Sequence, residues 1–194
     1  NINLLHDPFL MKDMLKVVER IQFFKSKNIM ILGDYDVDGT TSTAMLYKYF
    51  NSKGFNVYYY IPDRYQEGYG VSLESIEYAD KNNFSLIITV DCGIKAIDPV
   101  ALANLKGIEV IICDHHLPGD KLPKAYGIIN PKQSDCNYPF KELCGCGIAF
   151  KLITAHNLMS NDPYNINDFI DFTAIATVSD TMPLIDENRI MVFH

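Results

Sequence analysis

NIMILGDYDVDGTTST, residues 28–43, runs an apolar stretch into three aspartates at alternate positions and then into Gly-Thr-Thr. Residues 29–33 (IMILG) read as a buried β-strand, and 41–53 (TSTAMLYKYFNSK) as a helix closed by Gly54. Asp34, Asp36 and Asp38 must then share the short connection between them. Like charges about 4 Å apart repel by roughly 4 kcal/mol at an effective dielectric near 20. Such a cluster needs open water or a cation. Alternate residues of an extended segment point to one side, which directs Asp36 and Asp38 into the same space.

The same alternation of β-branched runs and amphipathic stretches continues along the chain. NVYYYI (56–61), LIITVD (86–91), EVIICD (109–114) and YGIIN (126–130) read as further strands, with Tyr58, Tyr59 and Tyr60 as core residues. SLESIEYADKNN (72–83) reads as a helix opening at Ser72, and Asp98-Pro99 as the cap and first turn of another. GIAFKLITAHNLM and INDFIDFTAIATV are helical in pattern, whereas 62–70 and 114–125 are irregular loops. Continuous apolar strands mean that both sheet faces are covered. The expected fold is α/β: a Rossmann-like, mostly parallel five-stranded sheet flanked by helices and followed by a helical segment. Ligands of such sheets bind outside the carboxyl ends of the strands. Asp34, Asp36 and Asp38, Asp63-Arg64, Asp91 and Asp114-His115-His116 all fall at that edge.

Composition narrows the classes. The 194 residues carry 48% hydrophobic side chains and a net charge of −7, which supplies a packed core and excludes a broad basic surface. No window approaches a membrane span, and the opening has neither the basic nor the apolar region of a secretory signal, so no membrane partner is expected. The chain begins with Asn rather than Met, and both ends read as cuts. Five cysteines, an odd number, favour reduced thiols and a cytoplasmic location over a disulfide framework. Cys144-Gly-Cys146 lacks a second Cys/His pair at metal spacing and reads as small buried residues at a helix start.

Asp36, Asp38 and Asp91 with a histidine from the fourth strand form an oxygen-rich set with imidazole, suited to Mn²⁺ or Mg²⁺. Two divalent cations bridged by one carboxylate would offset the repulsion, clamp a phosphate and activate water. Gly39 allows a tight turn, and Thr40, Thr41 and Ser42 then open a helix whose positive end faces an anion. Other readings of the same residues are a solvated turn, or a calcium loop of the D-x-D-x-D-G type. The calcium loop needs Glu six positions after the Gly, where Met45 stands. Asp91 by itself would be a strand-end residue, and His115-His116 a surface pair. Arg64 beside Tyr65 suits phosphate contact and base stacking, or an exposed loop pair. Gly145 and Gly147 open a helix and leave room for a backbone or a phosphate.

DYDVDG, VDCG (90–93), DHH (114–116) and SDTMP (179–183) resemble the four motifs of the DHH phosphoesterase superfamily. IPDRYQEGYGVS (61–72), DHHLPGDKLPKAYGIINPKQSDCNYPF (114–140), LCGCGIAFKL (143–152) and ATVSDTMPLIDENRIMV (176–192) resemble its RecJ branch, which degrades single-stranded DNA from the 5′ end. The resemblance implies a binuclear Mn²⁺/Mg²⁺ centre. Asp36 and Asp91 would hold one ion and Asp38, Asp91, His115 and Asp180 the other, with Asp91 bridging and Asp34 near the first. His116 would touch the scissile phosphate or tune the second ion, and Asp114 would orient the histidines. Asp180 carries no signal of its own, since Asp before Thr at the end of a helical stretch is an ordinary turn residue.

The resemblance also implies that residues 1–194 are a catalytic DHH domain lacking the second lobe of the full-length enzyme. The expected activity is hydrolysis of single-stranded DNA to mononucleotides in repair and recombination. The alternatives are a related phosphoesterase acting on short oligonucleotides, cyclic dinucleotides or pyrophosphate, and a metal-dead scaffold module. A scaffold predicts missing ligand positions, yet every expected one is filled. A phosphorylated receiver domain predicts a Lys after the fifth strand and no histidine pair.

Overall fold

In the computed structural model, which describes residues 2–161 and 163–194, the apolar runs form one sheet. Its strands are β1 (Ile29–Gly33), β2 (Val57–Tyr60), β3 (Leu86–Val90), β4 (Glu109–Cys113) and β5 (Gly127–Ile129). They lie in the order β2-β1-β3-β4-β5, each neighbouring pair parallel. Gly33 pairs Val90, Val90 pairs Cys113, and Cys113 pairs Ile129. Four strands therefore end level, and the residues that follow them, Asp34, Asp91, Asp114 and Asn130, leave the sheet side by side. The chain moves outward from β1 to β2 and then returns past β1 to β3, so the order reverses between β1 and β3. That is where an open α/β sheet leaves a crevice.

Among the described residues seven helices surround the sheet: α1 (Met14–Phe23), α2 (Val37–Ser52), α3 (Leu73–Lys81), α4 (Ile97–Leu105), α5 (Gly145–Met159), α6 (Ile170–Ser179) and α7 (Asp186–Phe193). Strand periodicity divides the core into two layers. Ile29, Ile31, Ile88 and Ile111 pack with α1, α2 and α5 on one face; Met30, Leu32, Ile87 and Ile112 pack with α3 and α4 on the other. Helix α5 is buried on almost every side, which explains why its sequence shows little amphipathic contrast.

Local chemistry moves several boundaries. Helix α2 begins at Val37, four residues ahead of the expected start, because Asp36 caps it by accepting from Gly39 N at 2.9 Å. Helix α4 begins at Ile97, so Asp98 lies in its first turn rather than at its cap. Residues Ile166–Phe169 form a 3₁₀ turn before α6. Strand β2 lies at the sheet edge, which overturns the reading of Tyr58 and Tyr59 as core, while Tyr60 packs partly buried against the α3–α4 layer. Tyr58 and Tyr59 are exposed, edge-on to Phe84 and Tyr47. The opposite edge is covered: Ile128 N donates to Asp13 Oδ2 at 3.0 Å, and Gln133 Nε2 donates to Ile128 O at 2.9 Å. All five cysteines are buried and free, and Cys144 caps α5 through a Gly147 N–H···Sγ contact of 3.3 Å.

His156 is buried between α1, α2 and α5, with Tyr49 Oη 2.8 Å from Nδ1 and Gln22 Nε2 2.6 Å from Nε2. Burial, helped by Lys53 and Lys25, lowers its pKa from 6.5 to about 4. The unfolded chain gains this proton near pH 6.5 while the folded chain resists it down to about 4, so the stabilisation is lost as pH falls through that window. In urea titrations from about pH 7.5 to 4.5, the advantage of the parent over His156→Gln should shrink by on the order of 2–3 kcal/mol.

Candidate metal centre

The level strand ends deliver a packed set of acids and imidazoles. Asp91 turns the chain out of β3 in a left-handed conformation, φ +60°, which Asp tolerates better than most residues. Its carboxylate lies under the first turn of α5. There is no room for a side chain at Gly145: a Cβ would stand 2.6 Å from Asp91 Cβ and 2.8 Å from Asp91 Oδ1. Asp38, in the first turn of α2, points at the same helix end. Its Oδ2 accepts from Gly145 N at 2.6 Å and its Oδ1 from Cys146 N at 2.7 Å. The positive end of α5 thus stabilises Asp38 as an anion.

His115, following β4, brings Nε2 to 3.1 Å from Asp91 Oδ1 and to 3.7 Å from both Asp38 Oδ2 and Asp180 Oδ2. Asp180 arrives from the C-terminal end of α6, outside the sheet. Asp38, His115 and Asp180 form one group with ligand atoms mutually within 4.8 Å; Asp34, Asp36 and Asp91 form a second, and Asp91, His115 and His116 a third. Asp91 lies between the first two groups through its approach to His115. Every residue placed at the metal centre from sequence is therefore brought together, but Asp36 and Asp38 sit on a helix start rather than an extended segment.

Burial raises Asp91 to about 11, with Asp38 and Asp36 adding repulsion, and raises Asp38 to about 6. Burial lowers His115 to about 4, leaving a neutral imidazole. Asp34 Oδ1, Asp91 Oδ1 and His115 Nδ1 are buried without hydrogen-bond partners among the described residues. The 3.1 Å approach of His115 to Asp91 is an ion-pair distance without hydrogen-bond alignment. Buried acceptors left unpaired in a cluster of like charge are what a divalent cation relieves, and the oxygen-plus-imidazole donor set fits Mn²⁺ or Mg²⁺.

Asp114 orients rather than joins. Its Oδ1 accepts from His115 N at 2.7 Å and lies 2.8 Å from His116 Nδ1, while Oδ2 accepts from Ile94 N at 2.9 Å. Burial alone would raise Asp114, but the His116 hydrogen bond and charge bring it below the usual carboxylate range. The same hydrogen bond raises His116.

The residues expected to meet substrate divide. Arg64 stands with its guanidinium carbon 5.4 Å from the ring centroid of Tyr35, the residue between Asp34 and Asp36, and beside Tyr65, which is 92% exposed. Gly39, Thr40 and Thr41 do not form an open anion-binding turn. Gly39 N donates to Asp36, Thr40 N and Oγ1 to Asp36 O, and Thr41 Oγ1 to Val37 O. Gly145 likewise admits Asp91 and donates to Asp38, rather than opening towards a phosphate. Sequence reasoning missed Tyr69, whose hydroxyl donates to Asp91 O at 3.0 Å and whose ring meets His116 edge-on. It also missed Asn130, which donates to His116 O at 2.9 Å. Asn130 was findable, as a polar residue at the level end of a strand.

A family model described as "DHH family, N-terminal domain" matches residues 28–177. The chain belongs to the DHH family. Within it, the chain is of the RecJ type. It is 45% identical over 188 residues to the single-stranded-DNA-specific exonuclease RecJ of Bacillus subtilis (strain 168), an alignment covering 96% of this chain and 23% of that protein. A crystal structure of exonuclease RecJ bound to manganese superposes with a TM-score of 0.86 at 32% identity, covering 97% of this chain and 47% of the other. RecJ from Thermus thermophilus in complex with Mn²⁺ gives 0.80 at 29% identity, covering 94% and 26%. The DHH-family chain described here thus spans less than a quarter of its Bacillus relative's length.

Because Gly145 packs directly against Asp91, Gly145→Ala should displace that carboxylate while leaving the sheet intact. The expected result is Mn²⁺ affinity lowered at least about tenfold by calorimetry, with far-UV circular dichroism unchanged.

Proposed function

We propose that this chain is the metal-dependent phosphodiesterase core of a nuclease that hydrolyses single-stranded DNA from the 5′ end to mononucleotides, in DNA repair and recombination. The observation that carries this reading is the pair of carboxylate groups meeting at Asp91, with orphaned buried acceptors, at the crevice of the sheet. The naming of its relative as a single-stranded-DNA-specific exonuclease, and the manganese in a similar structure, support the substrate and the cofactor. In this reading residues 1–194 are a catalytic DHH domain working with a second lobe of the same protein. The five buried thiols fit work in the cytoplasm. No helix among the described residues is long and apolar enough to cross a membrane.

Asp34, Asp36 and Asp91 would hold one divalent ion, and Asp38, Asp91, His115 and Asp180 the other. When bound, Mn²⁺ or Mg²⁺ supplies the positive charge that clamps a phosphate and acidifies water. The chain's own groups do the rest. The amide end of α5 keeps Asp38 ionised and aimed. Asp114 keeps a proton on the His116 nitrogen it faces and raises the pKa of that ring, which favours the protonated form that a phosphate oxygen would meet. Arg64 adds a planar donor for the incoming strand, with Tyr35 and Tyr65 as surfaces for a base. A scaffold would need none of these groups in mutual register.

The test is hydrolysis of end-labelled single-stranded DNA with and without Mn²⁺, alongside duplex DNA, a dinucleotide and pyrophosphate. Asp91→Asn, which keeps the left-handed backbone, should lose activity by on the order of a thousandfold. It should also unfold a few degrees higher than the parent without metal, since Asn does not carry the cost of holding a buried acid protonated well above its ordinary pKa, and lose the Mn²⁺-induced stabilisation. Retained activity in this variant would remove the shared ligand. Turnover of only the small substrates would move the reading to their phosphoesterases.

A further inference from the structure

A strand of phosphates must approach a centre built from six acidic residues on a chain of net charge −7. Arg64 supplies positive charge on the β1–β2 side. On the β4–β5 side the structure supplies it from a groove that neither the sequence reading nor the family likeness assigned. Asn130, buried after β5, ties this groove to the centre. Its Nδ2 donates to His116 O at 2.9 Å, and its Oδ1 accepts from Lys132 N at 2.8 Å. The backbone of Lys132 is therefore held to the histidine loop.

We propose that the groove between the Pro131–Gln133 turn and Lys141-Glu142 is a phosphate subsite, in which Lys132 and Lys141 hold a backbone phosphate of the strand next to the one being cleaved. The proposal rests on the nuclease reading and adds where the strand runs. The groove is open to solvent and offers about 610 Å³, within the usual range of ligand clefts. Lys132 Nζ has only a long approach, 3.7 Å, to Glu142 Oε2, whose side chain is 44% exposed. A phosphate can displace so loose a partner, because exposed pairs of this kind contribute little. Lys141 Nζ donates to the neutral Cys136 carbonyl at 2.7 Å, which leaves its charge uncompensated by that contact. Gln133 closes the groove wall from behind, its Nε2 donating to Ile128 O at 2.9 Å. Leu117, strongly exposed, and Pro131 form an apolar rim for a sugar or base.

The competing account makes Lys132 half of a surface ion pair and Lys141 a loop staple. Fluorescence anisotropy separates the two, using Mn²⁺-loaded protein and a labelled, hydrolysis-resistant phosphorothioate oligothymidylate across a salt series. Lys132→Gln and Lys141→Gln should each weaken binding roughly fivefold and lower the slope of log Kd against log salt, the double variant by about 0.7, one phosphate contact on a single strand. Lys132→Arg should restore the slope. Lys81→Gln, the same charge change at the far end of α3, is the control. Slopes equal to the parent and the Lys81 variant would overturn the subsite, as would a lowered melting temperature with unchanged slope. A parent chain that binds Mn²⁺ but no strand would overturn it too, while leaving the metal centre standing. A parent that binds neither would instead remove the nuclease reading on which it rests.

Discussion

The contact on which the rest of the molecule depends is the carboxylate of Asp38 held by the first amides of α5. A buried acid beside Asp91 and Asp180 would be protonated or expelled without compensation. The unpaired N–H groups of a helix start provide part of it, in fixed positions and at no cost in side-chain ordering. The same contact joins the beginning of the sheet domain to a helix more than a hundred residues later. It therefore closes the fold and charges the site in one interaction. Gly145 is required there because the other buried acid, Asp91, occupies the volume that a Cβ would need.

Two kinds of support keep the acids together. The level ends of β1, β3, β4 and β5 place Asp34, Asp91, Asp114 and Asn130 along one line. Asp180 has no such rail. Its α6–α7 corner is fixed from behind, where Asn188 Nδ2 donates to Glu142 O at 2.6 Å and Pro183 O at 3.1 Å. Beside it the fully buried Glu187 accepts from Lys151, from Tyr138 Oη at 2.6 Å and from His6 N at 2.8 Å. A buried charge with every acceptor satisfied is tolerated, and breaking one partner exposes the others to full desolvation. This knot holds the one ligand candidate that comes from outside the sheet.

The centre as it stands carries more repulsion than its own hydrogen bonds relieve. Asp91 is driven strongly towards protonation by burial and by its neighbours, and three buried polar atoms in the cluster lack partners among the described residues. Stability has been traded for a preorganised cradle, as sites for highly charged ligands require. Positive charge is kept away from the acids, on residues such as Arg64 and Lys132.

Much of this was legible in the chain itself. Five apolar runs at strand length, separated by amphipathic stretches, determine a parallel sheet, because only covered faces tolerate strands with no polar alternation. Acid-rich loops after each run then determine an edge that attracts cations. The first helix was passed over in the sequence, although Met14, Val17, Val18 and Ile21 are spaced for one helical face. Other features were decided only by tertiary structure. The exposed tyrosines of β2 follow from its place at the edge, which strand composition does not encode. The threonines after Gly39 bond back to carbonyls of their own helix because Asp36 starts that helix early and takes the Gly39 amide. Gly145, Tyr69 and Asp180 gain their roles from groups 22 to 107 residues distant in sequence, or from a neighbouring loop reached through space. Local pattern records which face of an element is apolar; it does not record which distant carboxylate will arrive there, because that depends on the register of strands and the packing of helices that only the folded chain brings together.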